Sequence, residues 1–195
     1  MRAKTVVALA AVAMLGCGTL GVARAADPPQ QKPKAPRQGY KAPDFTLTAL
    51  DGSEVNLFTL LKTNPVVLVV LRGYPGYQCP ACTQQVADLV ARSEKLKSAK
   101  ARVVLVYPGP AASLGERATE FLKDRKLPEG FTLALDPDYK FITAYGLRWD
   151  AQGETAYPST FVIDHQKTVR FVHIGKTHGD RAKPDEVIKA LPGVD

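Results

Sequence analysis

An apolar run with no polar alternation, residues 66–71 (VVLVVL), stands shortly before two cysteines in the segment 75–82, PGYQCPAC. A β-branched run of this kind is typical of a strand that is covered on both faces of its sheet. Apolar residues then recur at helical spacing from Cys82, which predicts a helix extending to about Ala99. This order would place Cys79 and Cys82 at a helix N-terminus, where unpaired backbone N–H groups stabilise a thiolate.

The rest of the chain alternates predicted strands and helices. The patterns indicate a hairpin of 45–47 and 54–56, a helical turn at 57–61, strands at 102–107 and 131–135, helices at 113–124 and 139–145, a second hairpin of 160–163 and 169–174, and a helix at 184–190. Ser113 and Glu116 have capping-box spacing. The sequence therefore predicts an α/β fold with a mixed central β-sheet flanked by helices.

The N-terminal segment has the pattern of a secretory signal peptide at residues 1–25. Arg2 and Lys4 precede the apolar stretch 5–15, and Ala23-Arg24-Ala25 offers a small-x-small cleavage site. The apolar stretch is too short for a transmembrane anchor. Residues 26–38, rich in Pro, Lys, Gln and Ala, are expected to be a disordered linker to one domain at 39–195.

Cys17 offers an alternative at this terminus. The sequence Met14-Leu15-Gly16-Cys17 loosely resembles a bacterial lipobox, and lipidation at Cys17 would anchor the protein to a membrane. Cleavage after Ala25 instead predicts an exported, periplasmic protein whose only cysteines are Cys79 and Cys82, in an oxidising compartment.

Charge gives little indication of a partner. Loss of Arg2, Lys4 and Arg24 with the signal peptide would lower the formal net charge from +7 to +4. Because no basic stripe with interleaved aromatic residues is present, we expect no nucleic-acid partner. The sequence also predicts no cofactor.

Two thiols three positions apart can close a disulfide and exchange it with another, which makes a redox role the leading interpretation. A structural staple is less attractive, because so short a loop removes little unfolded-state entropy. A metal site needs more soft ligands, and the candidates His165, His173 and His178 lie far along the chain. His173 and His178 are expected at the surface or in the hairpin.

Three segments, APDFTLTALDGSEVNL, PVVLVVLRGYPGYQCPACTQQV and YPSTFVID, resemble the AhpC/TSA redoxin branch of the thioredoxin superfamily. The resemblance extends from about Lys41 to the end and implies a thioredoxin-like fold with a peroxiredoxin-like N-terminal hairpin. The Pro-x-x-x-Thr-x-x-Cys motif of peroxiredoxins falls on Pro75 and Cys82, which makes Cys82 the peroxidatic position. Cys79 replaces the threonine of that motif.

A second departure from the peroxiredoxin pattern concerns the arginine that precedes the Ser/Thr-Thr-Phe strand. Pro158 occupies that position; Arg148 is the nearest arginine upstream of it, and Arg72 lies on the loop of the cysteines. A proline before this strand is similar to the cis-proline that faces the CxxC of thioredoxins. The resemblance therefore implies dithiol–disulfide exchange, with an active site supported by Pro75, Tyr77, Pro80, Pro158 and Thr160.

Three functional hypotheses follow. In the first, Cys79, as the more exposed thiol, attacks a protein or small-molecule disulfide, Cys82 resolves the mixed disulfide, and a thiol reductant restores the pair. In the second, Cys82 reacts with a hydroperoxide to give a sulfenic acid, which Cys79 resolves. In the third, the domain is a redoxin-like binding module or metal carrier without turnover.

Overall fold

The computed structural model describes residues 33–123 and 125–194. The predicted signal peptide, Cys17 and the first part of the predicted linker lie outside the described residues. Within the described part of the chain, no helix is both long and apolar enough to cross a membrane.

A single mixed sheet forms the centre of the described structure. Its strands are β1 (Thr46–Ala49), β2 (Glu54–Asn56), β3 (Val66–Val70), β4 (Arg102–Gly109), β5 (Phe131–Pro137), β6 (Ser159–Ile163) and β7 (Val169–Ile174). Their order in the sheet is β2-β1-β5-β4-β3-β6-β7. The three strands β3, β4 and β5 are parallel, and every other neighbouring pair is antiparallel. The predicted mixed sheet and both hairpins are confirmed.

Helices cover both faces of this sheet. They are α1 (Leu57–Leu60), α2 (Pro80–Val90), α3 (Ser93–Ser98), α4 (Leu114–Leu122), α5 (Lys140–Ala144) and α6 (Pro184–Lys189). Alternate residues of β3 pack into different cores: Val67 and Val69 join a cluster with both cysteines, and Leu68 lies in a second cluster on the other face. All five residues of β3 are buried, as the absence of alternation predicts.

The predicted single helix after the cysteines is wrong in its length, because it divides into α2 and α3. In a continuous helix the Arg92 N–H would bond to the carbonyl oxygen of Asp88. Instead this N–H donates to Leu89 O at 3.0 Å, and the Arg92 guanidinium donates to the Asp88 carbonyl oxygen through Nη1 at 3.0 Å. The side chain of Arg92 thus replaces its own backbone N–H as the donor to Asp88 O, and the helix ends there.

The predicted capping box at Ser113 is also not formed. A 3-10 turn, Ala111–Ser113, precedes α4 directly, and the Ser113 side chain makes no capping hydrogen bond. The backbone N–H of Ala111 is bound by Asp138 Oδ1 at 3.0 Å instead. The cap therefore comes from the loop after β5 and not from the helix's own start.

Topology brings several distant segments to one edge of the sheet. The loop after β3 carries the cysteines, and β6 runs antiparallel to β3, so that Ser159 pairs with Val70 at this edge. Because Ser159 also pairs with Ile174 at the end of β7, the segment after β7 reaches the same place. The Gly175 N–H donates to Pro158 O at 2.8 Å and fixes this approach.

Candidate active site

Cys79 and Cys82 lie where α2 begins. Cys79 is the N-cap residue, Pro80 follows at the first helical position, and Cys82 faces the core. Both are free thiols and both are buried, with exposures of 2% for Cys79 and 1% for Cys82. Cys79 is thus only marginally the more exposed thiol and is not open to solvent, because its side chain packs into the same core cluster and Arg181 Nη2 lies 3.7 Å from its sulfur.

Two donors from distant segments converge on the sulfurs. The backbone N–H of Arg72, just after β3, donates to Cys82 Sγ at 3.3 Å. Arg181 Nη2 lies 3.3 Å from Cys82 Sγ and 3.7 Å from Cys79 Sγ. A buried sulfur with a guanidinium and an amide donor is a site where negative charge is stabilised.

The two thiols share their protons unequally. The hydrogen bond with Cys82 is the largest cause that lowers the pKa of Cys79 to about 5, and the charges of Arg181 and Arg72 add to it against the effect of burial. The same hydrogen bond, together with burial, raises the pKa of Cys82 well above its ordinary value. At neutral pH the pair therefore holds one proton and one negative charge, with Cys82 as the protonated partner.

Arg181 is the functional residue that sequence reasoning missed. Only Arg72 and Arg148 were considered as candidates from the sequence, because Pro158 occupies the position of the family's arginine. Arg148 instead donates to the backbone carbonyls of Trp149, Glu154 and Thr155. Arg181 arrives from the segment after β7, and the signal that could have found it is an arginine shortly after the second strand of the predicted hairpin.

Gln85 binds the Arg181 guanidinium, and Thr160 in turn binds Gln85. Arg181 Nη1 donates to Gln85 Oε1 at 2.8 Å, and Gln85 Nε2 donates to Thr160 Oγ1 at 3.2 Å. Both supporting side chains are buried. Thr160 thus lies three hydrogen bonds away from the sulfurs, and Gln85, which the sequence did not single out, connects it to Arg181.

The side chain of Arg72 points away from the sulfurs into a second polar network. It forms an ion pair with Glu154 at 2.8 Å and donates to Gly153 O at 2.9 Å and Tyr77 Oη at 2.8 Å. The hydroxyl of Thr155 donates to Arg72 O. Tyr77 therefore contacts Arg72 through its hydroxyl, and the clamped Arg72 backbone presents its N–H to Cys82.

Gln78 connects the cysteine loop to β4 and α4. The hydroxyl of Tyr107 on β4 donates to Gln78 Oε1 at 2.8 Å, and Gln78 Nε2 donates to Arg117 O at 2.9 Å. Burial raises the pKa of Tyr107, which keeps this hydroxyl a proton donor. Neither residue was predicted at the site, because their contact joins segments 29 positions apart.

The three predicted prolines occupy different environments. Pro158 is buried at the start of β6, Pro75 is half-buried in the loop before the cysteines, and Pro80 is exposed. The described residues contain no cis peptide bond, so the cis form suggested for Pro158 is not present. Its carbonyl oxygen instead accepts the Gly175 N–H, which brings the Arg181 segment to the sulfurs.

The three histidines do not converge. His165 bonds to Leu61 O, His173 to Asp180, and His178 to Glu154 Oε1 at 2.8 Å. In the ranges 33–123 and 125–194, no group of three or more His, Cys, Asp or Glu residues is arranged to hold a metal ion. His178 nevertheless lies closer to the thiol site than expected, since Glu154 joins it to Arg72.

A mixed sheet with a buried dithiol at the start of a helix, at the carboxyl edge of its parallel strands, defines a thioredoxin-like redox protein. The model of the AhpC/TSA family matches residues 38–172. The chain belongs to this family, which confirms the resemblance of its sequence.

Plant proteins named chloroplastic peroxiredoxin Q are among the similar sequences. The protein from Oryza sativa subsp. japonica is 34% identical over 149 residues, which covers 72% of this chain and 64% of the relative. The protein from Sedum lineare is 32% identical over 154 residues, covering 79% and 77%. The chain therefore spans somewhat less than two thirds of the rice relative's length.

Solved structures share the fold. Peroxidoxin BcpB from Mycobacterium tuberculosis superposes with a TM-score of 0.64 at 22% identity, covering 82% of this chain and 99% of its own. A protein assigned as the thiol:disulfide interchange protein DsbE, from Chlorobium tepidum, gives a TM-score of 0.60 at 26% identity, covering 80% and 99%. The thioredoxin-like fold is thus common to a peroxidase-type and an exchange-type neighbour.

Proposed function

We propose that this protein is a thiol-dependent peroxidase in which Cys82 attacks a hydroperoxide and Cys79 resolves the product. The observation that carries the proposal is the pair of donors on Cys82 Sγ, the Arg72 N–H and Arg181 Nη2, both at 3.3 Å. The peroxiredoxin Q relatives support it. This is the hypothesis that the sequence alone placed second, because Arg181 was not recognised.

The first step moves one proton within the pair. Cys79, as thiolate, takes the proton of Cys82, and the Cys82 thiolate attacks the terminal oxygen of ROOH. The O–O bond breaks, Cys82 becomes a sulfenic acid, and RO⁻ leaves and takes up a proton to give the alcohol. The Arg181 guanidinium lies beside both sulfurs and stabilises the negative charge that moves from one to the other and onto the leaving oxygen.

The second step closes the disulfide. Cys79 returns as thiolate, attacks the sulfenic sulfur and releases hydroxide, which leaves as water after protonation. The sum is oxidation of two thiols to one disulfide and reduction of one hydroperoxide to an alcohol and water. An external thiol reductant then reduces the Cys79–Cys82 disulfide.

Stopped-flow mixing of the reduced protein with hydrogen peroxide or an organic hydroperoxide tests the proposal. Oxidation of Cys82 should be far faster than oxidation of a free thiol at the same pH, because the site supplies both a thiolate and stabilisation of the transition state. A rate no better than that of a free thiol would eliminate the peroxidase.

Thiol–disulfide exchange is the second candidate, and the low pKa of Cys79, about 5, favours it. In this reaction Cys79 attacks the substrate disulfide as a thiolate, and Cys82 resolves the mixed disulfide, so that the same intramolecular disulfide forms. The DsbE-type neighbour has the same fold. Since both cysteines are buried, a protein disulfide would have to displace the covering segment of Arg181 before it could react.

The supporting roles of Pro75, Tyr77, Pro80, Pro158 and Thr160 are part of this proposal. Tyr77 contacts Arg72, Pro158 binds Gly175 ahead of Arg181, Thr160 supports Gln85, and Pro80 begins α2, so none of these four needs to touch a substrate. We also propose that the protein is exported after cleavage of residues 1–25, with a periplasmic location. The basic start, the apolar stretch and the small-x-small site within residues 1–25 support this proposal.

A further inference from the structure

The carboxylate of Glu154 contacts one of the two donors to Cys82, Arg72, directly and is connected to the other, Arg181, through His178. Its Oε2 accepts from Arg72 Nε at 2.9 Å and lies 2.8 Å from Arg72 Nη2, and its Oε1 is 2.8 Å from His178 Nε2. The Glu154 side chain is only 15% exposed. Although burial raises it, the hydrogen bonds from Arg72 and His178 hold the pKa of Glu154 below its usual value, so that it carries its charge at neutral pH.

His178 continues the connection to Arg181. The ring of His178 bonds to Glu154, and the backbone carbonyl of the same residue accepts from Arg181 Nε at 2.9 Å. The His178 ring also lies edge-on against Trp149, with centroids 5.5 Å apart, and Trp149 stacks on Tyr157 at 4.8 Å. His178 thus joins Glu154 to Arg181, with its ring bonded to the carboxylate and its backbone carbonyl bonded to the guanidinium.

We propose that Glu154 is a positioning residue that, through His178, determines where the Arg181 guanidinium lies over the two sulfurs. The inference rests on the proposed function only in taking the dithiol as the reactive group, whether the substrate is a peroxide or a disulfide. Neither Glu154 nor His178 contacts the sulfurs, and both act through the placement of Arg181 and of the Arg72 backbone.

A purely electrostatic role and a positioning role of Glu154 predict opposite changes in the thiol pKa when the carboxylate is removed. The direction of that change therefore tests the proposal. A carboxylate near a thiolate disfavours the charged sulfur, so its removal would lower the thiol pKa. If the carboxylate positions Arg181, its removal lets the guanidinium drift from the sulfurs and raises the thiol pKa. The other titratable or charged groups that act on the sulfurs are the partner thiol, Arg181 and Tyr107, together with the charge of Arg72, whose guanidinium points away from them.

The experiment is an ultraviolet titration of the thiolate in the reduced protein, comparing wild type with Glu154→Gln. We expect the first thiolate midpoint to rise by about half a pH unit, which is a loss of about threefold in thiolate at pH values below the midpoint. A midpoint that is unchanged or lower would overturn the proposal. Circular dichroism of the same samples shows whether the variant is folded, and the titration needs no peroxide, so it is independent of the peroxidase result.

Two substitutions of His178 test its hydrogen bond with Glu154, one of them keeping the donor and the other removing it. In His178→Gln the amide nitrogen takes the place of Nε2 and can still donate to Glu154, and in His178→Leu that donor is lost. We expect the thiolate midpoint of His178→Gln to equal that of wild type. The midpoint of His178→Leu should rise, as it does in Glu154→Gln. Equal midpoints in both His178 variants would refute the connection. Glu129→Gln, which removes an exposed carboxylate paired with Lys97, is the matched control and should leave the midpoint unchanged.

Discussion

The guanidinium of Arg181 lies 3.3 Å from the sulfur of Cys82, although 99 positions separate the two residues. Arg181→Met keeps a long apolar stem and removes the charge. We expect the rate of peroxide reduction to fall by about a hundredfold, as when a donor to a developing negative charge is deleted. Stopped-flow kinetics at one pH measures this change.

Arg181→Lys is the control for charge alone. A lysine ammonium cannot donate to Gln85 and bridge both sulfurs in the same geometry, so this variant should recover only part of the lost rate. Full activity in Arg181→Met would show that the Arg72 N–H is sufficient, and the assignment of Arg181 would have to be withdrawn.

The reaction rate should depend on pH with a midpoint of about 5, because this is where Cys79 releases its proton. The sign follows from the direction of the shift: the reactive monoanion is present above about pH 5 and is lost as the pH falls below it. A pH–rate profile between acid and neutral pH checks the position. A midpoint near the ordinary thiol value would contradict the coupled dithiol.

The contributions to the low pKa of Cys79 also have an expected order. The hydrogen bond with Cys82 is the largest cause, and the charge of Arg181 is a smaller one. Cys82→Ala should therefore raise the Cys79 midpoint more than Arg181→Met does. Thiolate absorbance of the reduced variants measures both shifts, and the reverse order would show that charge, not the shared proton, controls the site.

The two cysteine roles can be separated with matched serine variants. In Cys79→Ser a peroxide should convert Cys82 to a sulfenic acid that persists, because no thiol is left to resolve it. Dimedone labelling followed by mass spectrometry detects this product. Cys82→Ser should give no such adduct, and if it instead accumulates mixed disulfides at Cys79 with partner proteins, exchange is the better description.

The order of elements could be predicted from sequence because it depends on local patterns. The apolar run of residues 66–71 predicts β3, and Asp51-Gly52 predicts the turn between β1 and β2. Because the cysteines follow β3, they are expected at the carboxyl edge of the parallel strands. The division of α2 from α3 could not be predicted. It depends on the Arg92 guanidinium replacing a backbone donor, which no periodicity records.

The place of Arg181 over the sulfurs could not be predicted from sequence for a different reason, although its position shortly after the predicted hairpin was a signal. Its place depends on the register of β6 against β7, which contains an irregularity between Val162 and Ile163, and on the course of the loop after Gly175. The family motif indicated where an arginine is missing, at Pro158, and could not indicate which other segment supplies one. The burial of Cys79 likewise depends on tertiary packing, because its side chain lies in the core cluster and Arg181 Nη2 is 3.7 Å from its sulfur.

The mature N-terminus is a separate prediction. If residues 1–25 are a signal peptide, the protein purified from its own exported fraction should begin at Ala26. Intact-mass spectrometry measures this directly. A diacylglyceryl group on Cys17 would replace the soluble, periplasmic protein with a membrane-anchored one, and an unprocessed Met1 would show that neither cleavage takes place.

Gly73 tests whether the cysteine loop must approach β4 closely. Its φ of +68° is a left-handed conformation, and a Cβ added there would overlap the carbonyl oxygen of Pro108. Gly73→Ala should therefore lower the free energy of unfolding by more than about 2 kcal/mol, since it combines backbone strain with a backbone clash.

Gly76→Ala is the matched control. Gly76 also has a positive φ, +118°, but its added Cβ would meet nothing within 4 Å. Denaturant unfolding should rank Gly73→Ala as the more destabilised, and equal losses would mean that the approach to Pro108 does not constrain the loop.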